Sequence, residues 1–215
     1  IFKMSKKKNL PNLSEVILYT FFSLFLGSCL LFYFNVSNKC RNTKDFDFSL
    51  INKNKTYAVL IIDCGEIVIE INNNVSPNNS KRFLKLIVNK EYVDSYFYKV
   101  KENKLVEAGD LKYGKIENLD YLKIGTGGSE YNNLNSELSE NFDFTKGSVG
   151  MVRRGKFDTE NSQFFILIEN QKSFNLQYTP IGKVISDLEV LKTIKSGDTT
   201  FVLRPDKILD SYRIN

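Results

Sequence analysis

The chain has 215 residues, 42% of them hydrophobic, with 17 Phe and 11 Tyr. That supplies one packed domain plus an appendage and excludes a disordered chain. Net charge is +5, and the cations are scattered among Asn and Ser without an aromatic-interleaved basic stripe, so nucleic acid is not an expected partner. The absence of His removes His general-base chemistry, Ser–His and Cys–His pairs, and nearly all ordinary zinc sites. A hydrolase would lack a nucleophile with its base, and no metal or cofactor is expected. Cys29, Cys40 and Cys64 show no CxxC spacing, so neither a disulfide framework nor a metal cluster is expected.

Residues 1–15 form a basic segment with Lys6, Lys7 and Lys8 in a row. From Val16 to Phe34 the chain carries no charge, which as a helix is long enough to cross a hydrocarbon core of about 30 Å. Tyr19 and Tyr33 sit toward its ends, where aromatic rings favour the interface. A single membrane-spanning helix over 16–34 is the expected reading. Three alternatives stay open. A signal peptide usually has a shorter apolar core. Leu26-Gly27-Ser28-Cys29 resembles a lipobox, but the apolar run continues past it. A core helix that is apolar on all faces is out of place at the edge of a small domain. Lys6 to Lys8 favour a cytoplasmic or matrix N-terminus, while Lys39, Arg41 and Lys44 flank the other end. A mitochondrial inner membrane, a secretory membrane and a bacterial envelope all fit. Residues 35–54 read as a polar tether, and 55–215 as the globular domain.

Tyr57 to Ile62 and Ile67 to Ile71 are β-rich around Gly65 and read as a hairpin. Ser76-Pro77 is a good helix start, a hydroxyl cap followed by proline at the first helical position. Phe83, Leu84, Ile87 and Val88 give that helix an apolar stripe ending near Asn89. Tyr96 to Val100 reads as a strand, with Leu105 to Asp110 as its continuation or partner. Gly125-Thr126-Gly127-Gly128 lacks the Lys-Ser/Thr and the strand–helix frame of a phosphate loop, so it reads as a structural turn. From Gly147 to Ile168 the order is strand, polar loop, strand. Phe164 and Phe165 point to opposite faces of their strand, so one enters a core and the other is free to floor a groove, with Gln163 facing away from Phe164. Ile181 to Ile185 reads as a strand, Asp187 to Ile194 as a short helix, and Lys207 to Ile214 as the last strand.

Gly147, Met151, Gly155 and the block Ser162-Gln163-Phe164-Phe165-Ile166 resemble the central motif of cyclophilins, the peptidyl-prolyl isomerases, with a loop about one residue longer here. Gly125 to Gly128 matches that family's Gly-Thr-Gly-Gly, and Glu140-Asn141-Phe142 its Glu-Asn-Phe. Gly109-Asp110 is also kept, and the resemblance runs from about Tyr57 to Ile214. It implies a closed antiparallel β-barrel of about eight strands with two helices over its ends, as does the strand pattern itself. It further implies an apolar pocket for a proline ring, lined or supported by Leu105, Met151, Phe165 and Ile181, with Gln163 as a polar contact. Lys99 takes the place of the catalytic Arg, Tyr98 that of a family His, and Lys104 that of a groove Phe. Glu107 replaces the groove Gln, Tyr178 the groove His, and Arg153 an Asn beside the bound peptide. Lysine is a flexible, hydrated point charge and does not copy a guanidinium fork, and Glu107 is placed to pair with Lys99 or Lys104. Two functions are therefore expected as alternatives. One is a cyclophilin-like domain with weak or lost activity that binds protein partners within a membrane complex. The other is an active isomerase acting on proline-containing peptides near a bilayer.

Overall fold

The computed structural model describes residues 12–195 and 205–215. Most of the basic segment, residues 1–11, lies outside them. The chain divides into two units, Ile1–Arg41 and Asn42–Asn215.

In the first unit, α1 spans Leu13–Lys39. Asn12 caps it: its Oδ1 accepts from the Glu15 N–H (2.9 Å), and Glu15 Oε2 accepts from the Asn12 N–H (3.0 Å). This reciprocal pair satisfies amides that a helix start leaves free. The helix thus begins three residues before the uncharged run. Its segment Leu13–Leu31 is long and apolar enough to cross a membrane. That is a statement of length and composition, and a signal sequence near an N-terminus meets the same criterion.

Among its described residues the second unit holds eight strands: β1 (Tyr57–Ile62), β2 (Gly65–Ile71), β3 (Lys99–Lys101), β4 (Leu105–Ala108), β5 (Ser148–Met151), β6 (Phe164–Leu167), β7 (Pro180–Val184) and β8 (Asp210–Ile214). Two helices accompany them, α2 (Pro77–Val88) and the short α3 (Glu189–Lys192). The strands form one sheet in the order β3-β4-β6-β5-β7-β2-β1-β8, and all pairings are antiparallel. The sheet curls as a half-barrel with β3 and β8 at its edges. The ladder between those two strands that a closed barrel requires is not among the described pairings. Instead, the segments ahead of them meet: Phe97 N–H donates to the Asp206 carbonyl (2.9 Å) and Ile208 N–H to the Ser95 carbonyl (2.9 Å). This cross-connection also explains why the strand expected from Tyr96 begins only at Lys99.

The sheet buries side chains on both faces. On the inner face, Phe164 meets Phe83 of α2 and Tyr92 edge-on, at 5.2 and 5.3 Å between ring centroids. The buried side of α2 includes Phe83, Leu84, Leu86 and Ile87, while Val88 is exposed. Each residue turns about 100° around the axis, which carries Val88 beyond the arc that Leu86 closes on its other side. On the outer face of β1, β2 and β8, Tyr57, Val59 and Val68 form a cluster against which Phe46 and Ile51 pack. Part of the segment read as a polar tether is therefore packed against the sheet. Cys40 and Cys64 are both disulfide-bonded, whereas Cys29 is free. This corrects the expectation of no disulfide, which rested on sequence spacing alone.

The start of α2 departs from its sequence reading. Ser76 is the N-cap residue but makes no side-chain cap; its hydroxyl donates to the Pro180 carbonyl instead. The capping is done from a distant loop. Glu137 Oε1 accepts from the backbone N–H and side-chain amide of Asn78 (3.1 and 2.8 Å). Its Oε2 accepts the same pair from Asn79 (2.9 and 2.8 Å). Burial pushes the Glu137 carboxyl up, but these hydrogen bonds outweigh it and hold the group below the usual carboxylate range.

Candidate functional site

Alternation along β6 turns Phe165 to the outer face, away from Phe164. Cross-strand register then builds one row: Lys99 opposite Glu107, Glu107 opposite Phe165, and Phe165 opposite Gly150. Directly opposed residues share a face. Lys99 Nζ lies 2.6 Å from Glu107 Oε1, with the lysine side chain 40% exposed and the glutamate side chain 10%. The buried carboxylate is thus neutralised by the lysine across from it. Gly150 leaves the space that the neighbouring ring fills, since a Cβ there would come within 2.5 Å of Phe165 Cζ.

Phe165 is only 1% exposed, in a cluster with Leu105, Phe144 and Leu167. Phe174 and Tyr178 close over it edge-on, at 5.4 and 5.2 Å, and lie 4.6 Å from each other. The accessible aromatic surface is therefore that of the partly buried Phe174 and Tyr178, with Val152 and Phe142 beside the same cluster. Cations stand over these rings: Lys104 Nζ is 5.8 Å from the centre of Phe174, and the Arg153 guanidinium 5.2 Å from Tyr178 and 4.4 Å from Phe157. Arg153 Nε also donates to the Gln177 carbonyl (2.8 Å).

Gln163 is engaged by the protein at both ends of its amide. Its Oε1 accepts from the Tyr98 hydroxyl (3.0 Å), and its Nε2 donates to the Gly127 carbonyl (2.7 Å). Burial, reinforced by the charges of Glu107 and Asp110, pushes the Tyr98 phenol well above its ordinary pKa and keeps it a donor. The Gly-Thr-Gly-Gly turn is tied down by Asp110, whose fully buried carboxylate accepts from the backbone N–H groups of Gly125 (2.7 Å), Gly127 (2.9 Å), Lys112 (3.1 Å) and Tyr113 (3.0 Å). A Cβ at Gly127 would collide with that carboxylate.

The structure brings six of the expected residues to one face: Lys99, Glu107, Leu105, Phe165, Tyr178 and Arg153. Gln163 braces this face from within. Met151 does not join it; it lies opposite Phe164 and is fully buried on the inner face. Ile181 is fully buried in β7 and is not part of the Phe165 cluster. The sequence reading omitted Phe174 and Val152 as lining residues and Asp110 as the anchor of the turn. An aromatic at 174 and an acid directly after Gly109 were the available signals. Among the described residues, no group of His, Cys, Asp and Glu side chains is arranged to hold a metal.

Residues 57–213 match the family described as cyclophilin type peptidyl-prolyl cis-trans isomerase/CLD. The chain belongs to the cyclophilin family. A probable peptidyl-prolyl cis-trans isomerase of Brucella abortus is 34% identical to it over 156 residues, 71% of this chain and 79% of the relative. A human protein named probable inactive peptidyl-prolyl cis-trans isomerase-like 6 is 24% identical over 169 residues, 71% of this chain and 52% of that one. Among solved structures, a cyclophilin type isomerase of Cryptosporidium parvum shares the fold with a TM-score of 0.64 at 24% identity, covering 75% of this chain and 98% of that one. On the cyclophilin framework, then, the outer face pairs an aromatic surface with cations and contains one neutralised carboxylate.

Proposed function

We propose that this cyclophilin domain is membrane-anchored, has weak or lost isomerase activity, and serves as a protein-binding or accessory subunit of a membrane complex. The observation that carries the reading is the Lys99–Glu107 pair at 2.6 Å. Rotation about an X-Pro bond is slow because amide resonance must be broken. Speeding it without a covalent step calls for a fixed donor to the prolyl nitrogen above a dry apolar floor. A lysine ammonium is flexible and strongly hydrated, and here one of its N–H groups is already given to Glu107. Gln163 has both amide ends bonded internally, and Phe165 is covered by Phe174 and Tyr178. The relative named inactive supports this reading. The apolar length of α1 supports the anchor, and two disulfide-bonded cysteines favour an oxidising compartment for the domain.

The second reading is an active isomerase for proline-containing segments near a membrane. It is favoured by the Brucella relative's name and by the accessibility of Lys99, whose ammonium has donors left over. A protease-coupled isomerase assay on the full chain in neutral detergent separates the two. The expected result is a rate near background that rises in the combined variant Lys99→Arg, Lys104→Phe, Glu107→Gln. A wild-type rate well above background that disappears in Lys99→Ala overturns the proposal in favour of an enzyme using lysine in the arginine role.

A further inference from the structure

The protein-binding reading leaves open which peptides the outer face would take, and the charges around it bear on that choice. Arg153 is held at two points, by its Nε–H to the Gln177 carbonyl and by its packing over Phe157 and Tyr178. Of its five N–H donors, only Nε–H has a partner among the described residues. The four on the two η nitrogens form the fork that takes a carboxylate bidentately. Lys104, over Phe174, also lacks an ion pair among the described residues. The nearby carboxylates do not meet this need. Glu107 is paired with Lys99, and Asp143 accepts from the Asn175 side-chain amide (2.7 Å). Glu169, whose backbone N–H reaches the Lys104 carbonyl, forms no ion pair with that lysine. In the loop that carries Arg153, Asp158 accepts from the Ser136 N–H (2.8 Å) and the buried Glu160 from the Thr179 hydroxyl (3.0 Å), and neither forms an ion pair with Arg153 among the described residues, so a preorganised fork is left unused beside the aromatic surface.

We infer that this face selects an extended partner segment in which an acidic residue adjoins an apolar one: the carboxylate is taken by the Arg153 η nitrogens and the apolar side chain lies on Phe174 and Tyr178. The inference rests on the protein-binding reading and adds its ligand class. Preorganisation is the physical reason for assigning selectivity to Arg153. A guanidinium already stacked and anchored loses little side-chain freedom on binding, whereas a free surface lysine loses more.

The test uses the full chain in neutral detergent and three short peptides bearing the same uncharged dye. They share a Phe-Pro centre flanked by Glu, Gln or Lys, and binding is read by fluorescence anisotropy. The Glu peptide is expected to bind about tenfold tighter than the Gln peptide, as one charge-assisted bidentate contact provides, and the Lys peptide more weakly than either. In Arg153→Gln the Glu preference should fall to near unity, and in Lys104→Gln it should fall by a smaller factor, both variants retaining the wild-type unfolding midpoint. Equal binding of the Glu and Gln peptides by the wild type overturns the inference while leaving the binding reading intact. A Glu preference that survives Arg153→Gln also overturns it, by tracing selectivity to net charge rather than to this fork. Failure of all three peptides to bind removes the protein-binding reading of this face, and the inference with it.

Discussion

Replacing Glu137 with Gln tests whether a loop remote in sequence holds the start of α2. The native carboxylate accepts four hydrogen bonds, two from Asn78 and two from Asn79, at 2.8 to 3.1 Å. In Gln one oxygen becomes an NH2 group, so a donor faces donors at one pair, and the favourable charge at the helix N-terminus is lost as well. Removing a helix cap costs about 1 kcal/mol and up to about 2; partial exposure of this carboxylate and the solvent screening that goes with it favour the lower part of that range. For a domain of this size each kcal/mol moves the melting midpoint by about 2–4 °C, so a drop of about 2–4 °C is expected at neutral pH. The pH dependence supplies the sign. The folded-state pKa of Glu137 is lowered, so its contribution is complete above the unfolded pKa and is lost as pH falls through the folded value. The gap between wild type and Glu137→Gln should accordingly persist from about pH 6 to 8, begin to narrow near the unfolded value of about 4.3, and close as pH falls through the lower folded-state value. Thermal unfolding of the two full chains across that range is the assay. Equal midpoints at neutral pH, or a gap that survives in acid, would refute the capping argument.

Three further outcomes are expected. Phe165→Ala should destabilise the domain by about 3–5 kcal/mol, because the ring fills the space over Gly150 beneath Phe174 and Tyr178; a loss below about 1 kcal/mol in urea unfolding would show that the cluster collapses freely. Gly127→Ala should shift the urea midpoint down and release the turn, because its Cβ meets the Asp110 carboxylate; unchanged stability would mean that this carboxylate moves aside easily. Tyr92 and Tyr98, whose phenols are raised mainly by burial, should stay silent in an alkaline absorbance titration of the folded protein. Their contribution is present below the unfolded pKa of about 10 and fades above it, so unfolding should set in at high pH together with late-titrating tyrosine signal.

Elements governed by local pattern were legible in the sequence. The first strand runs over Tyr57–Ile62 as read, and the helix after Pro77 ends next to Asn89. The opposed roles of Phe164 and Phe165 followed from strand alternation; the family resemblance assigned the pocket to Phe165, and the register turns that residue outward. The Lys99–Glu107 pair was legible as one of two options, and cross-strand register selects it. Other features depend on partners far along the chain. Glu137 reaches Asn79 across 58 residues, and no local signal marks it as a cap. Gln163 looks like a free polar contact until Tyr98 and Gly127 are found at its two ends. Met151 stands in a motif position, yet parity on β5 turns it inward beside Phe164. The disulfide state of Cys40 and Cys64 likewise has no spacing rule to announce it.

Phe46 and Ile51 have a practical consequence for anyone preparing the second unit alone. The family match starts at residue 57, and a chain trimmed there would keep every strand of the sheet. It would also uncover Tyr57, Val59 and Val68 beside β8, whose outer edge has no strand partner among the described residues. A bare apolar patch next to an open strand edge is a template for self-association. The natural starting point for expression is therefore Cys40, just past the end of α1, which keeps both the Phe46 and Ile51 cover and a disulfide-bonded cysteine, and aggregation of the shorter version would report a missing cover rather than an unstable fold.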